Sequence, residues 1–342
     1  MKKIVLTGGG TAGHVTPNIA LLPALQAAGY EIAYVGSYEG IEKKLIADFN
    51  IPYTGISTGK FRRYLDPKNF SDPFRVIKGF VEARNYLKNY QPDVVFSKGG
   101  FVSVPVVRAA ASLHIPCIIH ESDMTPGLAN KLCIPVAEKV CCNFPETMKN
   151  IPADKAVLTG SPIRAELAQG SKLAGLNMCG FTANKPVIMV IGGSLGAANV
   201  NKAVRDALPK LLEDFQVVHL CGKDKIDNLL LNTPGYKQFE YIKSELKDIF
   251  AMADVVISRA GANAICELLA LKKPNILIPL PAASSRGDQL LNAASFEAQG
   301  YSIVLNEDDI TTNLLVDKVH ELYFNRQNYV DAMSKSHQMD AV

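Results

Sequence analysis

Two strand–turn–helix units recur in this 342-residue chain in the same order, and the repetition narrows the folds open to it. GGGTAG (residues 8–13) follows the apolar run Ile4-Val5-Leu6, and GGSLGA (residues 192–197) follows Val187–Ile191. Later in each half comes a second matched pair, DVVFSKGG at 93–100 and DVVISRAG at 254–261. Each of these ends a strand, turns at glycine and enters an alanine-rich helix, after which a proline (Ile115-Pro116, Lys273-Pro274) leads into another apolar strand. Strand-like runs at Ile4–Leu6, Ile32–Val35, Val94–Ser97, Cys117–His120, Val140–Cys142, Val187–Ile191, Val217–Leu220, Val255–Ser258 and Ile276–Pro279 alternate with helical segments. That alternation predicts an α/β protein with parallel sheets flanked by helices. Two similar doubly wound, Rossmann-like halves are expected, joined near Gly160-Ser161-Pro162. Leu167 to Phe181 opens the second half, Thr311 to about Lys335 is helical, and Ser336 to Val342 lacks a pattern.

The totals suit two ordinary cores: 48% of residues are hydrophobic and 20% charged. A net charge of +3 is too weak to imply nucleic acid by itself. No stretch is long and apolar enough to span a bilayer. Lys2-Lys3 before so short an apolar run reads as a first strand, not a signal peptide. The seven cysteines (117, 133, 141, 142, 179, 221 and 266) are odd in number and lack CxxC pairing or zinc-ligand spacing, so they read as thiols of a reducing cytosol. No metal or cofactor is implied.

The first glycine loop, GGGTAGHVTP, crowds Gly8, Gly9, Gly10 and Gly13 around Thr11 and brings His14 to the start of a helix. Glycines let backbone N–H groups approach an anion, and a helix N-terminus adds positive potential. A histidine there can move a proton beside a phosphate. The spacing also satisfies the dinucleotide fingerprint, but that fingerprint wants an acidic residue closing the second strand. This strand ends Tyr34-Val35-Gly36-Ser37, which disfavours a nicotinamide enzyme. A ligand-free tight turn remains the bland alternative.

Gly192 to Gly196 satisfies GxSxG, the nucleophile elbow. Of the available histidines (219, 320, 337), His320 and His337 lie in or after the terminal helix, a poor address for a triad base, so Ser194 reads better as part of a second anion-binding turn. Arg259 to Glu267 opens a helix with small residues, and Glu267 is either a solvated glutamate or an acceptor for a ribose diol. In Ser285 to Ala293, Asp288 could cap a helix and Gln289 could present its amide to a sugar. His120-Glu121-Ser122-Asp123 closes a strand, with a carboxylate pair that either serves a substrate or pairs with Lys131. Lys60, Arg62, Arg63, Lys68, Arg75, Lys78, Arg84 and Lys88 crowd one region with Phe61, Tyr64, Phe70, Phe74 and Phe80. That composition suits an anionic membrane surface, and equally a solvated helix with buried aromatics.

Six motifs in this order, GGGTAGHVTP, HESDMTPGLANK, GSPIR, GGSLGAANVN, SRAGANAICE and DQLLNA, resemble the MurG family over nearly the whole chain. These are the UDP-N-acetylglucosamine:undecaprenyl-diphospho-muramoyl-pentapeptide N-acetylglucosaminyltransferases of bacterial cell-wall synthesis. The resemblance implies a GT-B type fold with two Rossmann-like domains facing a crevice. Residues 1–160 would take the lipid-linked acceptor (lipid I) at the cytoplasmic face of the membrane, as a peripheral protein. Residues 161–320 would take UDP-N-acetylglucosamine, and 321–342 would form a terminal helix and tail returning to the N-terminal domain. The implied reaction is one inverting displacement by the muramoyl 4-hydroxyl, giving lipid II and UDP. Cell-wall assembly proteins would be further partners, and neither metal nor nucleic acid would be needed.

The resemblance also implies roles for particular residues. His14 would be the general base, kept neutral by the helix N-terminus. Thr11, Ala12 and Gly13 would line the sugar and phosphate region, the loop glycines taking the lipid diphosphate. Arg164 would reach in from the join, and Ser194 would contact donor phosphate. Ile242 would pack on or hydrogen-bond uracil. Ala262, Asn263, Ala264, Ile265, Cys266 and Glu267 would hold diphosphate and ribose, and Gln289 the sugar hydroxyls. Ala12 stands where a second glycine is frequent in the family, Leu195 where glutamine is, and Asp123 where many members carry asparagine. An ionised aspartate would repel a diphosphate, so no donor contact is assigned to Asp123, and Glu121 is kept as an auxiliary acidic group. Two other readings remain open: a GT-B transferase with a soluble acceptor, and a non-catalytic nucleotide-sugar binding protein.

Overall fold

The computed structural model describes residues 1–59, 68–192, 197–282, 287–336, 338 and 341, with the side chains of 68–73 outside the description. The chain divides into two compact units, one over Met1–Arg164 and one running from Ala165 through the terminal helices.

In the first unit the strands are β1 (Lys2–Thr7), β2 (Tyr30–Ser37), β3 (Tyr53–Ile56), β4 (Val94–Ser97), β5 (Cys117–Glu121), β6 (Lys139–Cys142) and β7 (Ala156–Leu158). The helices are α1 (Thr16–Ala27), α2 (Ile41–Ile46), α3 (Lys68–Tyr90), α4 (Ser103–Ser112), α5 (Leu128–Cys133) and α6 (Pro145–Met148). All pairings are parallel, in the order β3-β2-β1-β4-β5-β6-β7. A parallel sheet carries helices on both faces, so its inner strands bury both sets of side chains. In β1, Val5 joins one core with Val95, Ile119, Ala83, Leu87 and Val107, while Ile4 and Leu6 join the other with Leu22, Ile32 and Ile46.

The second unit repeats the plan. Its strands are β8 (Val187–Ile191), β9 (Gln216–Leu220), β10 (Tyr236–Phe239), β11 (Val255–Ser258), β12 (Asn275–Leu277) and β13 (Ser302–Val304), in the parallel order β10-β9-β8-β11-β12-β13. Its helices are α7 (Lys172–Cys179), α8 (Ala198–Asp214), α9 (Leu246–Met252), α10 (Ala262–Ala270), α11 (Asp288–Ala298), α12 (Thr312–Phe324) and α13 (Arg326–Ser334). The segment expected as one helix from Thr311 breaks at Asn325.

The repeated DVV motifs occupy matching strands, β4 beside β1 and β11 beside β8. Their aspartates do the same work. The Asp93 carboxylate accepts from Lys3 N–H at 2.6 Å, and that of Asp254 from Val187 N–H at 2.8 Å. Each thereby pins the start of the central strand.

Of the segment 321–342, Leu322 is fully buried beside Leu315 and Val319 in the core shared with α8, and Tyr323 and Tyr329 pack against that core. This part of the expected returning tail therefore belongs to the second unit, because α12 presents a continuous apolar face to its sheet. Leu322→Ala should cost about 2–5 kcal/mol through the cavity it leaves. Urea unfolding followed in the second unit would read this, and an unmoved midpoint would remove α12 from the core.

Candidate functional site

In each unit the strand-to-helix turns sit at the carboxyl ends of the strands, where open α/β sheets bind ligands. In the first unit the turn after β1 is held from every side. Thr7 C=O accepts from the Asn18 amide at 3.1 Å and from Lys98 N–H at 2.9 Å. Gly8 C=O accepts from the Tyr34 hydroxyl at 2.7 Å. Gly9 N–H points to Gly99 C=O at 3.4 Å, and Gly10 N–H donates to Glu42 Oε2 at 3.2 Å. Two turns interlock here: a Cβ on Gly100 would run into the Gly9 carbonyl. Gly10 has φ +82°, a left-handed conformation that glycine adopts without strain.

These bonds correct one expectation. The amides of Gly9 and Gly10 are committed to the protein, so an anion at this loop would have to be met from Thr11 onward. Thr11 caps a 3₁₀ turn, Ala12–His14, and α1 follows. The Thr11 hydroxyl lies 3.0 Å from His14 Nδ1. The half-buried His14 ring is depressed to a pKa of about 4. Burial of the ring among protein atoms is the main cause and the Lys98 charge the next, while a hydrogen bond with Gly9 and the Glu42 charge oppose them. The imidazole is thus neutral at pH 7, as expected, but burial and a cation achieve this where the helix N-terminus was expected to.

Glu121 is buried at the end of β5, and both its oxygens are occupied by the loop that follows. Oε1 accepts from Asp123 N–H at 2.9 Å, and Oε2 from Gly127 N–H at 3.0 Å and the Asn130 amide at 2.8 Å. Burial raises its pKa, against those donors and Lys98. The carboxylate therefore shapes the 122–127 turn, and its bonded partners do not include Lys131. Asp123 joins this turn through its backbone, its carbonyl accepting from the Thr147 hydroxyl. Arg164 is half-buried at the end of the first unit.

In the second unit, Ala262, Asn263 and Ala264 form the half-exposed first turn of α10, and Glu267 follows one turn later, also half-exposed. Ile265 and Cys266 are buried and face inward, so the helix offers only part of the expected run to a ligand. The Asn292 amide donates to Ala260 C=O at 3.1 Å, tying α11 to the turn that launches α10. Gln289 is therefore held in the same neighbourhood, its Oε1 accepting from Leu280 N–H at 3.1 Å. Gly287, at φ +82°, is the residue that caps α11; Asp288 lies in the first turn and makes no side-chain cap bond. Ile242, just past β10, is buried while Tyr241 beside it is 61% exposed. Ser194 and Leu195 lie outside the described residues, as do Arg286 and the basic residues Lys60, Arg62 and Arg63.

Glu42 and Lys98 escaped the sequence reading. Lys98 had a signal, since the repeat aligns it with Arg259; Glu42 reads in sequence as one more helical glutamate.

The imidazole's titration has a consequence for stability. Unfolded, it titrates near 6.5; folded, near 4. Between those values the unfolded state binds more protons, so stability rises with pH; the contribution is complete above about pH 6.5 and lost as pH falls toward 4. His14→Gln should flatten the pH dependence of the urea midpoint across that window. An unchanged slope would place this titration elsewhere.

Comparison with known proteins adds a family context. Residues 4–142 match the glycosyltransferase family 28 N-terminal domain, and residues 187–342 its C-terminal domain. A Lachnospira eligens protein is 65% identical over 342 residues, covering 100% of this chain and 97% of its own. It is described as a UDP-N-acetylglucosamine–N-acetylmuramyl-(pentapeptide) pyrophosphoryl-undecaprenol N-acetylglucosamine transferase. A Clostridium botulinum protein of the same description is 59% identical over 336 residues, covering 98% of this chain and 95% of its own. The crystal structure of Acinetobacter baumannii MurG superposes with a TM-score of 0.77 at 29% identity, covering 99% of this chain and 96% of that one.

Proposed function

The chain belongs to glycosyltransferase family 28, and from that premise we propose that it transfers N-acetylglucosamine from UDP-N-acetylglucosamine to undecaprenyl-diphospho-muramoyl-pentapeptide. Full-length identity of 65% to a relative of that description carries the reading. The products are the β-1,4-linked disaccharide lipid and UDP, formed with inversion in a single displacement.

In this reading His14 is the general base. Its neutral imidazole is the form a base needs, and the side of the ring not facing Thr11 must carry the lone pair. The competent tautomer therefore holds its proton on Nδ1, donates it to the Thr11 hydroxyl and leaves Nε2 to take the proton of the muramoyl 4-hydroxyl. The acceptor oxygen attacks the anomeric carbon as the bond to the UDP oxygen breaks. Thr11, Ala12 and Gly13 receive the acceptor's sugar and phosphate. On the donor side, the start of α10 and Ser194 meet the diphosphate, whose developing charge helix N-termini stabilise. Glu267 takes the ribose diol, Gln289 offers its amide to the sugar hydroxyls, Arg164 supplies a cation and Ile242 borders the uracil.

A lipid-linked acceptor requires the protein to meet a membrane, yet no described helix is long and apolar enough to cross one. Helix α3 supplies a surface suited to peripheral contact. Phe74, Ile77 and Val81 fall on one stripe, 75%, 62% and 50% exposed, while Ala83 and Leu87 on another face are fully buried. Arg75, Lys78, Arg84 and Lys88 share the helix. An exposed apolar stripe among cations fits an anionic bilayer on the cytoplasmic side.

His14→Ala should lower kcat by about 10²–10⁴-fold while UDP-N-acetylglucosamine still binds. Release of UDP with a lipid I analogue reads the first and calorimetry the second; full turnover in the variant would remove His14 from the base role. Phe74→Ser with Ile77→Ser should weaken binding to phosphatidylglycerol vesicles roughly tenfold or more, since each side chain buries about 1.5–3 kcal/mol of apolar free energy. Undiminished co-sedimentation would move the membrane surface off α3.

A further inference from the structure

The loop that carries His14 lies between two buried side chains of opposite charge. On the β2 side, Glu42 is fully buried in the first turn of α2. Its carboxylate accepts from Gly10 N–H at 3.2 Å, from Ser37 N–H at 2.9 Å and from the Ser37 hydroxyl. Glycines line this seat because nothing larger fits: a Cβ on Gly9 would come within 2.5 Å of the Glu42 carboxyl carbon, and Cβ atoms on Gly36 and Gly40 would also collide with the side chain. On the β4 side, Lys98 is 1% exposed. Its ammonium bonds His120 Nδ1 at 2.7 Å and the Ser122 hydroxyl, and His120 Nε2 in turn meets Gly160 C=O at 2.8 Å. His120 must then be the neutral Nε2–H tautomer, which agrees with the strong depression of its pKa by burial and Lys98.

We propose that Glu42 and Lys98 are positioning residues of the transfer, fixing the His14 loop from its two sides and setting the electrostatic field at its imidazole. Both side chains are buried within the protein. Both act through the loop: Glu42 through Gly10 N–H, and Lys98 through its own N–H to Thr7 C=O and through the turn it begins, whose Gly99 faces the His14 ring. The groups facing His14 are the Thr11 hydroxyl and the Gly9 backbone from its own loop, Glu42 from α2, and Lys98 with the Gly99 backbone from the β4–α4 turn. Glu121 from β5 acts on Lys98 in turn. The Lys98 charge favours the neutral imidazole and that of Glu42 the protonated one, so their removal has opposite consequences. A purely structural role would not produce opposite signs.

This inference rests on His14 being the base, but its test does not need turnover. The ¹³Cε1 resonance of His14, assigned by comparison with His14→Gln, is titrated in the ligand-free full-length protein. Lys98→Met is expected to raise the midpoint from about 4 by on the order of one pH unit, with Lys98→Arg staying near the parent. Adding Glu42→Gln to Lys98→Met should lower the midpoint again. The acidic limb of kcat/KM for transfer to a lipid I analogue should follow the same order. Should Lys98→Met fail to fold, Glu42→Gln alone decides the matter, because at pH 4 its His14 should be less protonated than the parent's. Midpoints that stay put, or move the same way in both variants, overturn the inference. Midpoints that move as expected while the activity profile does not follow uphold the field of Glu42 and Lys98 at the imidazole but overturn the base assignment, and with it their part in the transfer.

Discussion

Parallel strands deliver all their carbonyl ends to one edge of the sheet, and every backbone group there must find a partner before the turn can be used for chemistry. The protein meets this demand with side chains from the helices and strands just beyond. Asn18 of α1 donates to Thr7 C=O, Asn130 of α5 to His120 C=O, Asn201 of α8 to Cys221 C=O and Asn292 of α11 to Ala260 C=O. All four asparagines are buried, so each bond forms where water does not compete. The turns are rigid because their polar groups are already bonded within the protein.

Much of this organisation was legible in the sequence. The inner strands bury both faces and so appear as unbroken apolar runs, and the repeat at 93–100 and 254–261 correctly announced two sheets of matching order. The strands that sequence reading passed over, β3, β7, β10 and β13, are the edges of the two sheets. Of these, β10 pairs on one side only and keeps polar side chains, Tyr236-Lys237-Gln238-Phe239, so it lacks the run that marks its neighbour.

The site was less legible, for a physical reason. A glycine loop advertises close approach but not what approaches. Here the amides of Gly9 and Gly10 face Gly99 and Glu42, residues far away in sequence, and only the register of β1 against β2 and β4 brings them in. Local spacing could point to His14, yet the charges that govern it arrive on neighbouring strands. Similarly, Ile265 and Cys266 carry the helical period that turns them inward, whereas the motif as a string gives them the same standing as Ala262.

The two halves solve one repeated problem in different ways. The residue before the glycine turn is a buried cation in both, Lys98 and Arg259. Arg259 pairs with the buried carboxylate of Glu307 and donates to Ile278 and Pro279 carbonyls at 3.0 and 3.2 Å, so its charge is cancelled where it sits. Lys98 has an imidazole and a hydroxyl among its partners, and its charge is felt at His14, His120, Glu121 and Cys141. Burying an ion costs several kcal/mol unless its surroundings repay it. A locally neutralised pair is the ordinary way to hold a fold together, and the second unit uses it beneath the start of α10. In the first unit the charge of Lys98 also acts across the turn, and one group it reaches is the histidine of the glycine loop, whose neutral form it favours.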